Sequence, residues 1–565
     1  MPRMLKWTLR RAGGLAIMGC LFGCNSVIGL DKFSVKADGG SSNAGGSTST
    51  GGSDSSGGSG GIAGTSTTLP DASSNCSTNA ECTEQATAAA AASAAGSDAG
   101  SGTAPATVPA ICLRSEGHCV TLVSGDCSTI TGDYLNDKAI IIGSLFATQG
   151  TTATQNIPRQ QSALLAIEEV NNSGGIPTNV AGDSRPLVMV SCDTSANMLR
   201  AATHLVSDIH VPAIVGPNTS QDTLDVSNKV TILANVLVVS PTAVAASIGD
   251  LVDKDLTWLM IPSDNQRAQL MMKNISEVET NLRAQRNLTN VKLSIIYRDD
   301  ALGVGTRTSM DALVINGKLL SDPINLGTNV HIDHYDPKQP DYASIITAET
   351  AFAPDIVVLA GTAETVTKVM TPLELAWTGS NRPYYFLIDP SKGPELLAAV
   401  TGNDDLRLRV RGSGTKPGAD SVPVANTFST DFYSRYAASP TASGTGPSYD
   451  AVYAIAYALA ATKDLPVSGP NIAQGLRKLA GGATSIATGT ADLLLAFQNL
   501  ASGQNITGVG TYCPLEWDKN GVVMGGTIEM WCIGTSGTTA VFQSSGLTFD
   551  IKTQAVSGSY AQCGP

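Results

Sequence analysis

From Lys138 to Val244 the hydrophobic positions switch between an unbroken run and a helical period. Lys138-Ala-Ile-Ile-Ile-Gly-Ser-Leu-Phe146 is continuously apolar, the pattern of a parallel strand covered by helices on both faces. After Pro158, Ala163, Ile167 and Val170 fall on one helical face, and Asn172-Ser-Gly-Gly175 stops the helix. The same step repeats through Leu187-Val-Met-Val190, the helical positions Met198, Leu199, Ala202, Leu205 and Val206, and Val211-Pro-Ala-Ile-Val215. Val226, Val230 and Leu233 then precede Val236-Leu-Val-Val239. These strands end at Gly143-Ser144, Gly216-Pro-Asn-Thr-Ser-Gln221 and Ser240-Pro-Thr242. In open α/β sheets the carboxyl ends of strands face a crevice, so these loops would offer backbone N–H groups and hydroxyls to a ligand.

The pattern recurs further on. Lys292-Leu-Ser-Ile-Ile-Tyr297 ends in Arg298-Asp-Asp-Ala-Leu-Gly-Val-Gly305 and leads to a helix through Met310, Leu313 and Val314. A helix over Tyr342–Thr350, the strand Asp355-Ile-Val-Val-Leu-Ala-Gly361, a helix after Glu364 and the strand Tyr384-Tyr-Phe-Leu-Ile388 follow, the last running into Asp389-Pro-Ser391. Two such units predict two α/β lobes facing each other across a cleft.

Composition removes the front of the 565-residue chain from this count. Arg3, Lys6, Arg10 and Arg11 precede an apolar run from Ala12 to Gly23 that is too short to span a bilayer, the layout of a secretory signal over 1–23. Leu21-Phe-Gly-Cys24 resembles a bacterial lipobox, which makes Cys24 the lipidation candidate. Ile17-Met-Gly-Cys20 competes with it, but would leave an apolar segment of only eight residues after Arg11. Residues 24–109, rich in Ser, Gly, Thr and Ala, read as a disordered tether including Cys76 and Cys82, and 110–136 as a cysteine-containing lead-in. In an exported chain Cys76, Cys82, Cys112, Cys119 and Cys127 read as disulfide formers rather than a metal site, and Cys513 and Cys532, at the ends of a predicted hairpin, as a candidate pair. Setting aside Cys20 and Cys24, nine cysteines remain, so at least one lacks an intrachain partner. A net charge of −13 with 15% charged residues, and no basic cluster after the signal, argues against nucleic acid as a partner.

The order of several short motifs resembles the type 1 periplasmic binding proteins, the branched-chain amino-acid and amide branch of ABC-transporter receptors. They are Gly150 in the first loop, Ala163-Leu-Leu-Ala-Ile-Glu-Glu-Val-Asn-Asn-Ser-Gly-Gly-Ile176, Ala213-Ile-Val-Gly-Pro217, Val239-Ser-Pro241, Pro354-Asp-Ile-Val, Tyr449-Asp-Ala-Val-Tyr453 and Pro514-Leu-Glu-Trp-Asp-Lys-Asn-Gly521. The resemblance spans about Asp137 to Trp531. It implies two Rossmann-like lobes joined by a three-segment hinge, with crossings near Ile261-Pro262, Ile388-Asp389 and Tyr512–Pro514. Lobe I is then 137–262 plus 389–512, and lobe II 263–388 plus 513–565. A ligand touching both lobes favours their closure.

Carried over by position, the resemblance implies ligand contacts at Thr219, Ser220, Ser240 and Thr242 in lobe I, at Leu302 and Glu364 in lobe II, and at Asp389 on the second crossing, where the chain re-enters lobe I. Ser220 also stands where a helix N-cap would be. The chain departs from the amino-acid binders where Val244 replaces an ammonium-binding hydroxyl and Leu302 an aromatic residue; the Glu364 loop is one residue shorter. A buried ammonium without acceptors is costly, so an amide, an organic acid or an apolar molecule also suits the cleft. Other residues offer less. His331-Ile-Asp333-His334 alternates faces on a strand rather than converging on a metal, and Tyr449, Tyr453 and Tyr457 read as packing. No catalytic elbow, metalloprotease helix or phosphate loop occurs, and no cofactor is implied. The expected function is an exported, lipid-anchored, non-enzymatic solute-binding protein, facing the periplasm or the cell surface, that serves an ABC permease. A ligand-sensing or surface-interaction lipoprotein of the same fold is the alternative.

Overall fold

The structure is a computed structural model and describes residues 75–95 and 106–564. All of these belong to one compact unit, Thr67–Pro565. The signal, Cys20, Cys24 and most of the tether lie outside the described residues. Among those described, no helix is long and apolar enough to cross a membrane.

The part of the supposed tether that is described is folded. Helix α1 (Asn79–Ala95) packs on the hairpin β1 (Ala110–Leu113) and β2 (His118–Thr121). Its start is a reciprocal cap, in which Glu81 accepts from the amides of Ser77 and Thr78 while the Thr78 hydroxyl accepts from the Glu81 amide. Disulfides Cys76–Cys112 and Cys82–Cys119 close the module. Three of these sulfurs lie within 4.8 Å of one another, but all are bonded to sulfur, which leaves no thiolate for a metal. Composition misread this segment because its apolar content is small and its order comes from the cross-links.

The first sheet has the order β8–β7–β6–β4–β5–β3. Its strands are β3 (Cys127–Thr131), β4 (Ile140–Phe146), β5 (Leu187–Asp193), β6 (Ala213–Val215), β7 (Leu237–Ser240) and β8 (Thr257–Leu259). All run parallel except β3, which pairs antiparallel with β5 at the edge and is stapled to it by Cys127–Cys192. Residues 127–131 thus belong to the first lobe and not to a lead-in. On one face α2 (Ala153–Asn172) packs against a helix from much later in the chain, Thr445–Ala461, in which every residue from Thr445 to Ala460 is buried. Alanines let that helix approach closely, and its Tyr449 and Tyr453 hydroxyls both donate to buried Glu169 at 2.5 Å. These tyrosines are packing and anchoring residues.

The second sheet has the order β10–β9–β11–β12–β13–β14–β15–β16. The strands are β9 (Leu293–Arg298), β10 (Val330–Tyr335), β11 (Ile356–Ala360), β12 (Tyr384–Ile388), β13 (Val410–Lys416), β14 (Thr527–Ser536), β15 (Thr539–Asp550) and β16 (Ala555–Ser557). The first five are mutually parallel, and the last three add antiparallel at one edge. Helix α3 (Asp264–Arg286) covers one face. His331 sits on edge strand β10 with Nδ1 on Glu349 at 2.7 Å, and His334 points elsewhere, beside Tyr297.

Two of the three expected crossings fall elsewhere. The first, between β8 and α3, matches Ile261-Pro262. The second does not occur at Ile388-Asp389, because β13 pairs with both β12 and β14 and keeps 389–416 in the second lobe; the chain returns after Lys416, into the helix Ser421–Tyr436. The third does not occur at Tyr512–Pro514. Cys513, Leu515, Trp517 and Val523 are in the first-lobe core, and Trp517 Nε1 donates to Leu259 O at 2.7 Å, so the passage is Gly525-Gly526. The crossings touch: a Cβ on Gly526 would stand 2.8 Å from Cys513 Sγ and 3.3 Å from Pro262, and one on Gly418 3.4 Å from Thr527. Cys532 pairs with Cys563 rather than with Cys513, which among the described cysteines is the free, buried one. Cys513 lies in the other lobe's core, whereas the antiparallel edge brings the C-terminal tail beside Cys532.

Candidate functional site

The carboxyl ends of both sheets turn toward the junction of the lobes. In the first lobe, β6 runs into Gly216, whose φ of 95° and a Cβ position 2.5 Å from Leu145 O require glycine. Thr219, not Ser220, is the N-cap of the helix Ser220–Val226, its hydroxyl accepting from the Asp222 amide at 3.1 Å. Ser220 Oγ instead accepts from the amides of Val244 and Ala245, both at 3.1 Å, which ties the β6 and β7 loops together. Thr242 Oγ1 donates to Asn218 O at 2.7 Å and Ser240 Oγ to Pro217 O at 2.5 Å. Ser240 and Ser220 are buried, and Thr242 is half-buried. These hydroxyls therefore hold the loops in shape, and Ser220 keeps its own O–H to donate. Val244 fills its place with backbone contacts, its carbonyl accepting from the Asp264 amide across the first crossing at 2.7 Å.

In the second lobe Arg298, at the end of β9, organises a cluster. It reaches Asp300 at 2.6 Å and Glu364 at 2.9 Å, and Glu364 also accepts from Tyr335 at 3.0 Å and from the Thr362 amide and hydroxyl. Burial opposes the charge on Glu364, but Arg298 and Thr362 prevail and hold its carboxyl below the ordinary value. Asp222 of the first lobe feels Asp300 and Arg298 across the gap, and Gln221 Oε1 accepts from the Ala301 amide at 3.3 Å. Leu302 packs on the second-lobe core, and its amide caps onto Asp300.

Asp389 follows β12 and faces the crossings. One of its oxygens accepts from the Thr415 amide at 2.8 Å and lies 4.0 Å from Arg267 Nη2. A Cβ on Gly414 would collide with the other. Around it sits a group that the sequence reading did not find. Arg267, 5% exposed, is 3.7 Å from Asp264, and Asp264 also takes the Thr306 hydroxyl at 3.3 Å. Asp264 Oδ2, Arg267 Nε, Ser413 Oγ and Thr415 Oγ1 are buried with no hydrogen-bond partner among the described residues. The detectable signal was a charge pair at i, i+3 on the apolar face that continues through Leu270, Met271, Asn274 and Ile275. Tyr512 approaches from the first lobe, and burial with Asp389 and Glu529 nearby pushes its hydroxyl up to about 12.

Burial pushes the Asp264 carboxyl up to about 7, against the pull of Arg267 and Thr306. Its folded value lies above the unfolded one of about 3.9, so the folded protein keeps a proton that the unfolded chain loses, and stability falls as pH rises from about 4 to about 7. Asp450, raised to about 6 by burial, acts in the same sense. Asp264→Asn is expected to recover on the order of 2–4 kcal/mol at pH 8 relative to pH 5. Urea unfolding at the two pH values checks this, and an equal pH slope in both proteins would count against it.

The sequence matches the family described as periplasmic binding protein over residues 139–493. No curated protein sequence matches the chain. Among solved structures it is similar to the branched-chain amino acid transporter substrate binding protein LivJ from Streptococcus pneumoniae in complex with isoleucine, at 17% identity and a TM-score of 0.51, covering 72% of this chain and 99% of that one. It is also similar to the leucine binding protein LivK from Thermotoga maritima (17%, 0.50, 72% and 98%). A solute binding protein of an ABC transporter from R. palustris, solved with benzoate, is similar at 13% and 0.50, covering 75% and 99%. At such identities the likeness shows the fold alone. With the profile covering more than half of its length, two α/β lobes joined by three adjacent crossings, and strand ends directed at their junction, the chain belongs to the periplasmic binding protein family, a family of binding proteins rather than enzymes.

Proposed function

We propose that this protein is the lipid-anchored, extracytoplasmic solute-binding component of an ABC transporter, and that it captures a small polar ligand by closing its lobes. The observation that carries the reading is the set of buried, unpartnered polar atoms at the crossings: Asp264 Oδ2, Arg267 Nε, Ser413 Oγ and Thr415 Oγ1 beside Asp389. Buried polar groups are nearly always satisfied, so such a set marks the place where a ligand or ordered water completes the bonding. One guanidinium with two carboxylates suits a molecule with both a donor and an acceptor end, an amino acid, amide or hydroxylated organic acid. Asp389 has capacity to spare for a donor, whereas Glu364 is filled by Arg298, Tyr335 and Thr362. Ser220 and Thr219 would meet the ligand from the first lobe, with Thr242, Ser240 and Leu302 shaping the loops behind the contacts. The liganded LivJ and benzoate-bound relatives support this ligand range.

A thermal-shift panel of amino acids, amides and organic acids tests it. A true ligand at about 100 times its Kd is expected to add about 2.7 kcal/mol, and Asp389→Asn to remove that response. A broad panel that leaves the melting temperature unmoved would favour the second reading, a sensing or surface-interaction lipoprotein, which the disulfide-closed module between tether and lobes supports.

A further inference from the structure

A second candidate site lies at the opposite end of the second sheet. Arg411 is the second residue of β13, and Thr415, near that strand's other end, faces the crossings. At about 3.3 Å per residue these are more than 10 Å apart. Arg411 lines a groove of about 480 Å3 between α3 and the C-terminal tail, together with Asn274, Val278, Leu282, Tyr384 and Tyr560. The tail is fixed there by Cys532–Cys563, by the Ala561 amide on Ser545 O at 2.9 Å and by Arg407 Nη1 on Cys563 O at 3.4 Å.

Arg411 is 7% exposed. Its guanidinium stacks 3.9 Å from the Tyr560 ring centroid, with Tyr384 at 5.4 Å and Phe386 at 5.7 Å. Among the described residues its one hydrogen bond goes to Asn274 Oδ1, at 3.2 Å, and its Nε has no partner. Arginines 407 and 409 of the same stretch each pair with a carboxylate; among the described residues none lies within ion-pair distance of Arg411. Glu277 also lines the groove, but it is bound by Lys273 at 3.1 Å and by Asn274 Nδ2, which donates to it at 2.9 Å. The Tyr560 hydroxyl is likewise buried without a partner. A buried arginine normally has its charge answered by an anion, and a planar guanidinium on an aromatic face is arranged for bidentate carboxylate recognition.

We infer that this groove is a binding site, separate from the interlobe cleft, for a small organic carboxylate: the acid group engages Arg411 and the Tyr560 hydroxyl, and an apolar body lies along Val278, Leu282 and Tyr384. One unmatched positive charge balances a monoanion, and a phosphate dianion would be left with uncompensated charge next to Glu277.

Calorimetric titration of the full protein with phenylacetate, phenylacetamide and inorganic phosphate tests the assignment. Phenylacetate is expected to bind, with the neutral amide and phosphate at least tenfold weaker. Arg411→Met should abolish binding, Tyr560→Phe should weaken it several-fold, and Asp389→Asn should leave it unchanged. Tyr560→Phe removes one oxygen only and carries the test should Arg411→Met fail to fold. Equal binding of the amide, tighter binding of phosphate, loss of binding in Asp389→Asn instead, or no heat up to roughly 10 mM phenylacetate would each overturn it. The Asp389→Asn arm keeps failure of this site distinct from failure of the cleft reading.

Discussion

Arg409→Met is expected to lower the unfolding free energy by about 3–5 kcal/mol, because it breaks a buried ion pair from one side. Arg409 ends the helix Asp404–Arg409 and is buried, with Nη1 and Nη2 forked onto Glu374 Oε1 at 2.9 Å and Oε2 at 2.7 Å. It also reaches Asp405 at 2.8 Å and the Pro383 carbonyl at 2.6 Å. Methionine replaces the stem but leaves Glu374 buried with only Arg382 and Tyr385 as donors. The loss corresponds to a melting temperature roughly 10 °C lower for a lobe of this size. Glu374→Leu in the same chain should recover part of it, since removing both charges is far cheaper than stranding one. Urea unfolding of the single and double variants measures the coupling, and a single-variant loss under about 1 kcal/mol would show the pair to be bathed in solvent. Function would feel the loss too: Arg409 grips Pro383, just ahead of β12, from the start of β13, the two strands whose far ends carry Asp389 and Thr415.

The second large effect concerns the N-terminal module. Its core consists of Cys82, Ala86, Ala110 and Cys112, too little apolar surface to fold without cross-links. The two disulfides close loops of 36 and 37 residues in sequence separation, and each is worth about 2–4 kcal/mol. With Cys76→Ser and Cys82→Ser together, residues 75–95 and 106–121 are expected to become a ready protease substrate while the lobes stay resistant. Limited proteolysis read by mass spectrometry decides it; an uncut segment would mean that docking alone holds the module, through Asn79 on Tyr134 O at 2.8 Å and His204 on Leu122 O at 3.3 Å.

The strands that the sequence made legible are those whose two faces are both covered, where apolar runs such as Ile140–Phe146 or Ile356–Ala360 carry the whole signal. The parallel strand of the second sheet that it hid is β13. Arg407-Leu-Arg-Val-Arg411 looks solvated, yet all three of its arginines are buried, and what makes that tolerable is remote in sequence: Glu374, the Ile533 carbonyl and the Tyr560 ring. Losing β13 displaced the second crossing and with it the lobe boundaries. The loops at strand ends were legible as loops, but hydroxyl residues such as Ser240 and Thr242 bond to neighbouring carbonyls, a fate that depends on the meeting of two chain segments. Arg267 and Asp264 escaped because a charge on a helix reads as surface until the partner lobe is in place.

The late helix Thr445–Ala461 sets an order of events during synthesis. It completes the first sheet's face against α2, yet it is made only after the whole parallel half of the second sheet. At about 5–20 residues per second that face stays uncovered for roughly 10–40 s after Met260 is added. Until that helix arrives the first lobe is an incomplete sheet with one apolar face open, so its folding waits on synthesis of the second lobe instead of finishing ahead of it.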